Sequence, residues 1–122
     1  MDTHKTLEKE FSEFITKDDL PYYFYIHDTE GVFTYVSHEV TSLLGFDIET
    51  FKSFYMDHVT ANPLNKEVIK YTLKSLQGIQ QAPYKVEIYD VDYKAHYQLV
   101  YEKPVFEGKN IVGVKGVAKL LN

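Results

Sequence analysis

The chain has 122 residues, a net charge of −5 and no cysteine. This length suits one domain with a single core, and 44% hydrophobic with 25% charged residues indicate a globular protein. The missing cysteine excludes disulfides, thiolate metal ligands and thiol nucleophiles. The chain has 13 lysines and no arginine. Because nucleic-acid recognition depends on a basic surface and favours arginine forks, we expect no nucleic-acid binding.

The hydropathy pattern gives no sign of export or of membrane contact. The longest apolar run is far shorter than a membrane span. The first residues, "MDTHKTLEKEF", lack the apolar segment of a secretion signal. We therefore expect a cytoplasmic protein, and the absence of cysteine fits a reducing compartment.

The N-terminal segment predicts an amphipathic helix over residues 3 to 16, with Leu7, Phe11, Phe14 and Ile15 on one apolar stripe. Such a stripe needs a partner surface. The helix either packs on its own sheet or contacts a second copy of the chain, and the sequence leaves both open. We assign residues 1–17 to this flanking helix and residues 18–122 to the domain that follows.

A hairpin follows the helix. "YYFYIHD" (22 to 28) and "VFTYV" (32 to 36) are rich in aromatic and β-branched residues. The "DTEG" between them is typical of a turn with glycine at the position of positive φ. Ser37 is placed to cap a helix over "HEVTSLL", and Gly45 to end it.

The second half predicts a longer helix and three strands. Asn62-Pro63 is a strong helix start, and Gly78 marks the end of the helix. Strands are expected over 84 to 90, 96 to 106 and 111 to 120. Two hairpin-like groups of strands with helices between them predict an α+β domain, in which helices cover one face of an antiparallel sheet.

This order of elements resembles the PAS sensor fold over roughly residues 21 to 120. The motifs that carry the resemblance are "HDTEG", "VSHEVTSLLGF", "SLQG" and "EKPVFEGKNIVGVKGVAKL". The resemblance implies a five-stranded antiparallel sheet that cups short helices around a small cavity. It also implies a sensing or dimerisation role within a larger bacterial signalling protein. The effector of such a protein is often a histidine kinase, a diguanylate cyclase or a chemoreceptor.

The chain departs from the family pattern at two positions. Ser37 stands where asparagine is common, and serine can still cap a helix. The chain ends in "VAKLLN" where many members read aspartate-isoleucine-threonine. The pattern stops midway there, so we expect a domain taken from a longer protein, and a homodimer together with the effector domain as its partners.

The resemblance also limits the cofactor. Flavin photochemistry in this family requires a reactive cysteine, so a flavin adduct is excluded. In haem-binding members a histidine lies on the long helix, where this chain has Glu67, a poor haem ligand. His58 precedes that helix, where we expect it to be a capping or surface residue, and no arginine is present for the propionates. Haem is therefore not expected, which leaves an unidentified small organic ligand or none.

Strand phase selects the residues that would line the cavity. On the last strand Val112, Val114, Gly116 and Ala118 should face inward, with Gly116 and Ala118 leaving room for a ligand. Registering the fourth strand to the PAS pattern through Pro104 implies that His96, Gln98, Val100 and Glu102 face inward, although a slip of one residue would reverse every side chain. The complete set of predicted ligand-binding residues is Tyr25, His27, Val36, Val40, Leu44, Val68, Thr72, Gln98, Val100, Glu102, Val114 and Gly116.

The same phase places Tyr97, Leu99 and Tyr101 on the outer face, a seat for the N-terminal helix or for a second subunit. The predicted dimer interface is therefore Leu7, Phe11, Phe14, Tyr97, Leu99 and Tyr101. No catalytic residue and no metal site is assigned. His27 and Asp28 point to opposite faces of a strand, and Asp90 and Asp92 fit a solvated turn.

Three hypotheses follow. The favoured one is a PAS module that binds a small ligand between sheet and helices and transmits through dimer geometry. The second is a ligand-free dimerisation scaffold whose cavity is filled by its own aromatic residues. The third is a small α+β enzyme with a cone-shaped pocket, which would need an acid or base with a perturbed pKa at the pocket floor.

Overall fold

The computed structural model describes residues 2–121 and contains one five-stranded antiparallel sheet. The strands lie in the order β2-β1-β5-β4-β3, so the last strand is central and pairs with both β1 and β4. This confirms the predicted α+β architecture. The strands are β1 (Tyr22–Asp28), β2 (Phe33–Val36), β3 (Tyr84–Tyr89), β4 (Ala95–Glu107) and β5 (Asn110–Leu120).

Residues 2–121 also form five α-helices and two 3₁₀ turns, which pack against the sheet. Within the described residues, no helix is both long and apolar enough to cross a membrane. The helices are α1 (Thr3–Glu10), α2 (Ser12–Ile15), α3 (Glu39–Leu44), α4 (Ile48–Phe51) and α5 (Val68–Leu76), and the 3₁₀ turns are Tyr55–His58 and Pro63–Glu67.

The core is divided by the sheet into two layers. The larger layer lies between the inner face and the segment from α3 to α5, and its centre includes Tyr25, Val40, Phe51 and Val100. The smaller layer lies on the outer face, under α1 and α2. Because successive side chains of a strand point to opposite faces, one strand contributes to both layers.

The single N-terminal helix predicted over residues 3 to 16 is two helices in the structure. The helical path is interrupted at Phe11, whose φ of −102° and ψ of 16° lie outside the helical region. Leu7 on α1 and Phe14 on α2 both pack on the outer face of the sheet, together with Phe24 and Val117.

The assignment of Leu7, Phe11 and Phe14 to a dimer interface needs correction. All three side chains are buried by the chain's own sheet, so they offer no surface to a second copy while the helices are docked. Of the three outward residues predicted on β4, Leu99 and Tyr101 contact the same helices. The Tyr97 hydroxyl instead accepts a hydrogen bond from Asn62 Nδ2 at 3.2 Å.

The buried ammonium of Lys119 fixes the end of α2. Its Nζ donates hydrogen bonds to the Phe14 carbonyl and, at 3.1 Å, to Asp18 Oδ2. The ammonium also lies 3.9 Å from the centre of the Phe14 ring. A cation at a helix C-terminus meets the negative end of the helix dipole, so β5 holds α2 both by charge and by apolar packing.

The Asn62-Pro63 signal begins the 3₁₀ turn Pro63–Glu67, and α5 itself starts only at Val68. The other helix ends follow the sequence signals with one exception. Gly45 ends α3 in the left-handed region at φ +83°, and the Asn62 side chain accepts the Leu64 N–H at 3.0 Å. The exception is Ser37, which makes no cap for α3. Its Oγ instead accepts the Phe24 N–H at 2.8 Å, because Ser37 directly follows β2 and lies beside β1.

Candidate functional site

A small cavity of about 40 Å³ lies between the inner face of the sheet and the helical segment. This is room for a few water molecules, since one water needs roughly 10–15 Å³ by the same measure. Binding sites for drug-sized ligands are typically several hundred Å³. The lining is Tyr23, Tyr25, His27, Phe33, Phe51, Tyr55, His58, Val59, Val68, Tyr84, Val86, Ile88, Gln98, Val100 and Glu102.

The polar centre of the cavity is the Glu102 carboxylate on β4, which is 4% exposed. The Tyr25 hydroxyl on β1 donates a hydrogen bond to Oε2 at 2.5 Å, and the Tyr84 hydroxyl on β3 donates to Oε1 at 2.6 Å. A buried carboxylate is costly without hydrogen-bond partners. Here each oxygen has one phenol donor, so three strands are joined at one acidic side chain.

The two tyrosines are held in the protonated form. Burial, and next the negative charge of Glu102, raise the pKa of Tyr25 well above its ordinary value. The same two causes, in the same order, raise the pKa of Tyr84. At neutral pH both phenols are therefore neutral donors whose protons point at the carboxylate.

A second buried pair lies further along the sheet. The Tyr23 hydroxyl on β1 donates to Gln98 Oε1 on β4 at 3.0 Å. Burial raises the pKa of Tyr23, which the bond with Gln98 only partly offsets. Both cross-sheet bonds span β5, which lies between β1 and β4.

His27 brings an unsatisfied nitrogen to the cavity. The ring is 1% exposed and stacks on Tyr55, with centroids 5.3 Å apart and planes at 13°. Nδ1 lies 2.8 Å from the Asp28 carbonyl oxygen. A carbonyl only accepts, so Nδ1 carries the proton. In the neutral ring, Nε2 is then an acceptor, and it has no hydrogen-bond partner among the described residues.

Six of the twelve predicted ligand-binding residues line the cavity: Tyr25, His27, Val68, Gln98, Val100 and Glu102. The other six are buried but do not line this cavity, and their contact with a ligand stays a prediction. Val36, Val40 and Leu44 pack in the surrounding core, Thr72 is buried on α5, and Val114 and Gly116 are buried on β5.

Gly116 makes room for another side chain, whereas the sequence predicted that it leaves room for a ligand. A Cβ at this position would lie 2.5 Å from Tyr25 Cζ and 2.6 Å from its hydroxyl oxygen. The missing side chain therefore makes room for the Tyr25 ring and its bond to Glu102, and leaves no space for a ligand. Gly116 pairs with both of those residues across the sheet.

Val112, near the start of β5, does not face inward as predicted. Val112 is 39% exposed, because the pairing with β4 shifts at this point: Val105 faces Gly113, whereas Phe106 faces Ile111. Val112 is therefore the extra residue of a bulge, and a bulge changes the face to which the following side chains point.

Sequence reasoning missed several wall residues, above all Tyr84, Tyr55 and His58. Tyr84 alternates with Val86 and Ile88 on β3, and this alternation was the available signal. His58 was expected to be a capping or surface residue. Instead it is partly buried and stacks on Phe51 at 4.2 Å, with Nε2 donating to the Phe51 carbonyl at 2.9 Å.

The comparisons with known proteins concern the fold. Neither a protein-family model nor a curated protein sequence matches the chain. A light-oxygen-voltage domain studied with a flavin analogue superposes with a TM-score of 0.71 at 16% identity, over 96% of this chain and 85% of its own. A PAS domain of a protein from Colwellia psychrerythraea gives 0.71 at 12% identity, over 98% of both chains.

A third neighbour is a blue-light activated histidine kinase from Erythrobacter litoralis. Its TM-score is 0.68 at 10% identity, over 84% of this chain and 34% of the kinase chain. This chain therefore corresponds to about a third of that kinase. These structures agree with the strand order and with the helices over the inner face, so the chain has the fold of PAS and light-oxygen-voltage domains.

Proposed function

We propose that this chain is a sensory module of a larger signalling protein, and that the state of its inner cavity is transmitted to α1 and α2 on the outer face. The observation that carries the proposal is the Glu102 carboxylate, which joins β1, β3 and β4 at the cavity through Tyr25 and Tyr84. A change at this carboxylate acts on three strands at once.

The ligand that suits the cavity is very small and bears a hydrogen-bond donor. His27 Nε2 has no partner among the described residues and accepts in the neutral ring. Leaving such a buried atom unpaired costs free energy, which a donor would recover. The volume of about 40 Å³ limits the ligand to a few non-hydrogen atoms unless the walls move.

Transmission would use neighbouring residues on the same strands. Tyr25 faces the cavity, and the preceding Phe24 packs under α1 and α2. Glu102 faces the cavity, and the preceding Tyr101 lies 5.9 Å from Phe11 between ring centroids. A shift of either strand at the cavity thus moves a contact of the N-terminal helices, and a ligand that favours one packing changes the populations of both.

The effector and the assembly are part of the same proposal. The histidine kinase among the structural neighbours supports an effector domain of this kind in the parent protein. We further propose a homodimer, as the resemblance implies. Because Leu7, Phe11 and Phe14 are buried, the dimer contact uses another surface or requires the helices to undock.

The ligand-free scaffold is the second candidate, and a specific observation favours it: aromatic rings stack on one another within the inner layer. Phe33 stacks on Phe51 at 5.2 Å, and Tyr71 stacks on Tyr84 at 4.4 Å. The enzyme hypothesis has less support. The raised pKa values of Tyr25 and Tyr84 make both phenols weak acids, and both hydroxyls are already bonded to Glu102.

Native mass spectrometry of the protein purified from cells tests the sensory proposal. We expect a species heavier than the chain, whose additional mass is lost on denaturation, and we expect His27→Phe to lose this mass. Tyr93→Phe, at an 82% exposed position, is the matched control and should retain it. If the wild type carries no additional mass and His27→Phe is indistinguishable from it, the scaffold hypothesis stands instead.

A further inference from the structure

A cluster of histidine and carboxylate side chains lies outside the cavity, where α1 meets the start of α3. His4 projects from α1, and His38 and Glu39 lie at the beginning of α3. One possible ligand atom from each of the three lies within 4.8 Å of the other two. His4 lies 34 and 35 positions before His38 and Glu39, which are adjacent, so no motif spacing indicates the cluster.

We propose that His4, His38 and Glu39 form a binding site for a divalent transition-metal ion of the Zn²⁺ class, which would join α1 to α3. Two imidazoles and one carboxylate are ligands that such ions prefer, whereas Mg²⁺ and Ca²⁺ prefer oxygen alone. Three protein ligands leave a fourth position for water.

The distances suit an ion after small side-chain rotations. His4 Nε2 lies 2.7 Å from Glu39 Oε2, and His38 Nδ1 lies 3.9 Å from Glu39 Oε1. Ligand atoms around tetrahedral zinc are about 3.3 Å apart, given metal–ligand bonds of about 2.0–2.1 Å. The two measured separations lie on either side of this value.

Glu8 supplies the outer support that metal-bound histidines usually have. Its Oε1 lies 3.1 Å from His4 Nδ1. A ligating imidazole normally donates its other N–H to a carboxylate, which fixes the tautomer and the ring orientation. With Nδ1–H directed at Glu8, the Nε2 of a neutral His4 is the nitrogen left for a metal.

Two features of the cluster support a cation at this position. Both nitrogens of His4 face carboxylate oxygens, at 3.1 Å and 2.7 Å. Carboxylates only accept, so the cluster holds more acceptors than a neutral imidazole can serve. Glu39 Oε1 is in addition buried, and His38 Nδ1, the nitrogen paired with it, lies 3.9 Å away, beyond hydrogen-bond distance. A metal ion would give this oxygen a ligand role.

The test is calorimetric titration of the chelator-treated 122-residue chain with Zn²⁺ and, separately, Mg²⁺. We expect one saturable Zn²⁺ site per chain and no response to Mg²⁺. His38→Ala and Glu39→Gln should each weaken Zn²⁺ binding at least tenfold. The His38 side chain is 78% exposed, so its removal should leave the fold intact, as thermal unfolding without metal will verify.

Two variants serve as matched controls. Glu49→Gln removes an exposed carboxylate on α4, and His96→Asn alters a histidine–carboxylate pair, 2.7 Å apart, at the β3–β4 turn. Both should bind Zn²⁺ like the wild type. Hydrogen exchange of residues 3–10 should slow on Zn²⁺ addition in the wild type and in both controls, and should not change in His38→Ala or Glu39→Gln. No saturable binding, or equal binding by His38→Ala, Glu39→Gln and the wild type, would overturn the proposal.

Discussion

Tyr25 on β1 donates a hydrogen bond of 2.5 Å to Glu102 on β4 across the full width of β5. The bond passes over Gly116, which pairs with both residues. A sheet places such partners two strands apart, beyond the reach of small side chains. The long phenol closes this distance only because the intervening position has no Cβ.

Gly116→Ala is expected to destabilise the protein. The new Cβ would lie 2.5 Å from the Tyr25 ring, and overpacking of this kind typically costs about 1–3 kcal/mol of unfolding free energy. Urea denaturation measures the change. Val112→Ala, at an exposed position on the same strand, is the control and should change the unfolding free energy by less than about 0.5 kcal/mol. Equal stability of Gly116→Ala and the wild type would contradict the close contact.

Tyr25→Phe and Tyr84→Phe should each destabilise the protein, because each leaves one oxygen of the buried Glu102 carboxylate unpaired. Hydrogen bonds to charged groups contribute about 1.5–3 kcal/mol. The double variant should deviate from additivity, since the two phenols share one partner. Tyr93→Phe, at the most exposed tyrosine, should have no effect on the unfolding free energy. Strict additivity of the two changes would argue against a shared carboxylate.

Alkaline titration should separate the buried tyrosines from the rest. The pKa values of Tyr23, Tyr25 and Tyr84 are raised, with burial as the largest cause. Unfolded tyrosines ionise near pH 10. The stability contributed by the protonated, buried tyrosines is therefore present below that pH and lost as the pH rises above it. Absorbance at about 295 nm should show at least three of the 11 tyrosines ionising only as far-UV circular dichroism is lost. Ionisation of all of them in the folded state would be inconsistent with the structure.

His58 should make the protein less stable in mild acid. Burial lowers its pKa, more than the Phe51 carbonyl and the Asp57 charge raise it. The unfolded chain then takes up a proton near pH 6.5 that the folded chain resists. The contribution of neutral His58 to the unfolding free energy is therefore present above that pH and lost below it. Between pH 7.5 and 5.5, urea unfolding of His58→Gln should show a smaller loss than the wild type. An identical loss would mean that His58 is not responsible.

The positions of the strands could be predicted, because each depends on residues that are neighbours in the sequence. The aromatic run from Tyr22 to Asp28 is β1 as predicted, because Pro21 limits one end and the turn at Gly31 limits the other. The resemblance to the PAS pattern, registered through Pro104, predicted the inward phase of Gln98, Val100 and Glu102 on β4, and these three side chains are buried. Where several signals agree, the structure follows them.

Features that depend on contacts between distant segments could not be predicted from the sequence. The break at Phe11 lies where its ring packs against Phe24 and Tyr101 of the sheet, and the bulge at Val112 reflects pairing with β4. Glycine at 116 was interpreted as space for a ligand, because its neighbour Tyr25 lies more than 90 positions away in the sequence. The size of the cavity depends on the packing of all these side chains together and has no local signature.

Hydrogen exchange of α1 and α2 in Glu102→Gln tests most directly whether the cavity is coupled to the outer face. Glu102 contacts the cavity, and the two helices lie on the opposite side of the sheet. Phe46→Leu, which alters the inner core away from the outer face, controls for general loss of stability. We expect residues 3–15 to exchange faster in Glu102→Gln than in Phe46→Leu. Equal exchange of these residues in the two variants would contradict transmission from the cavity to the N-terminal helices.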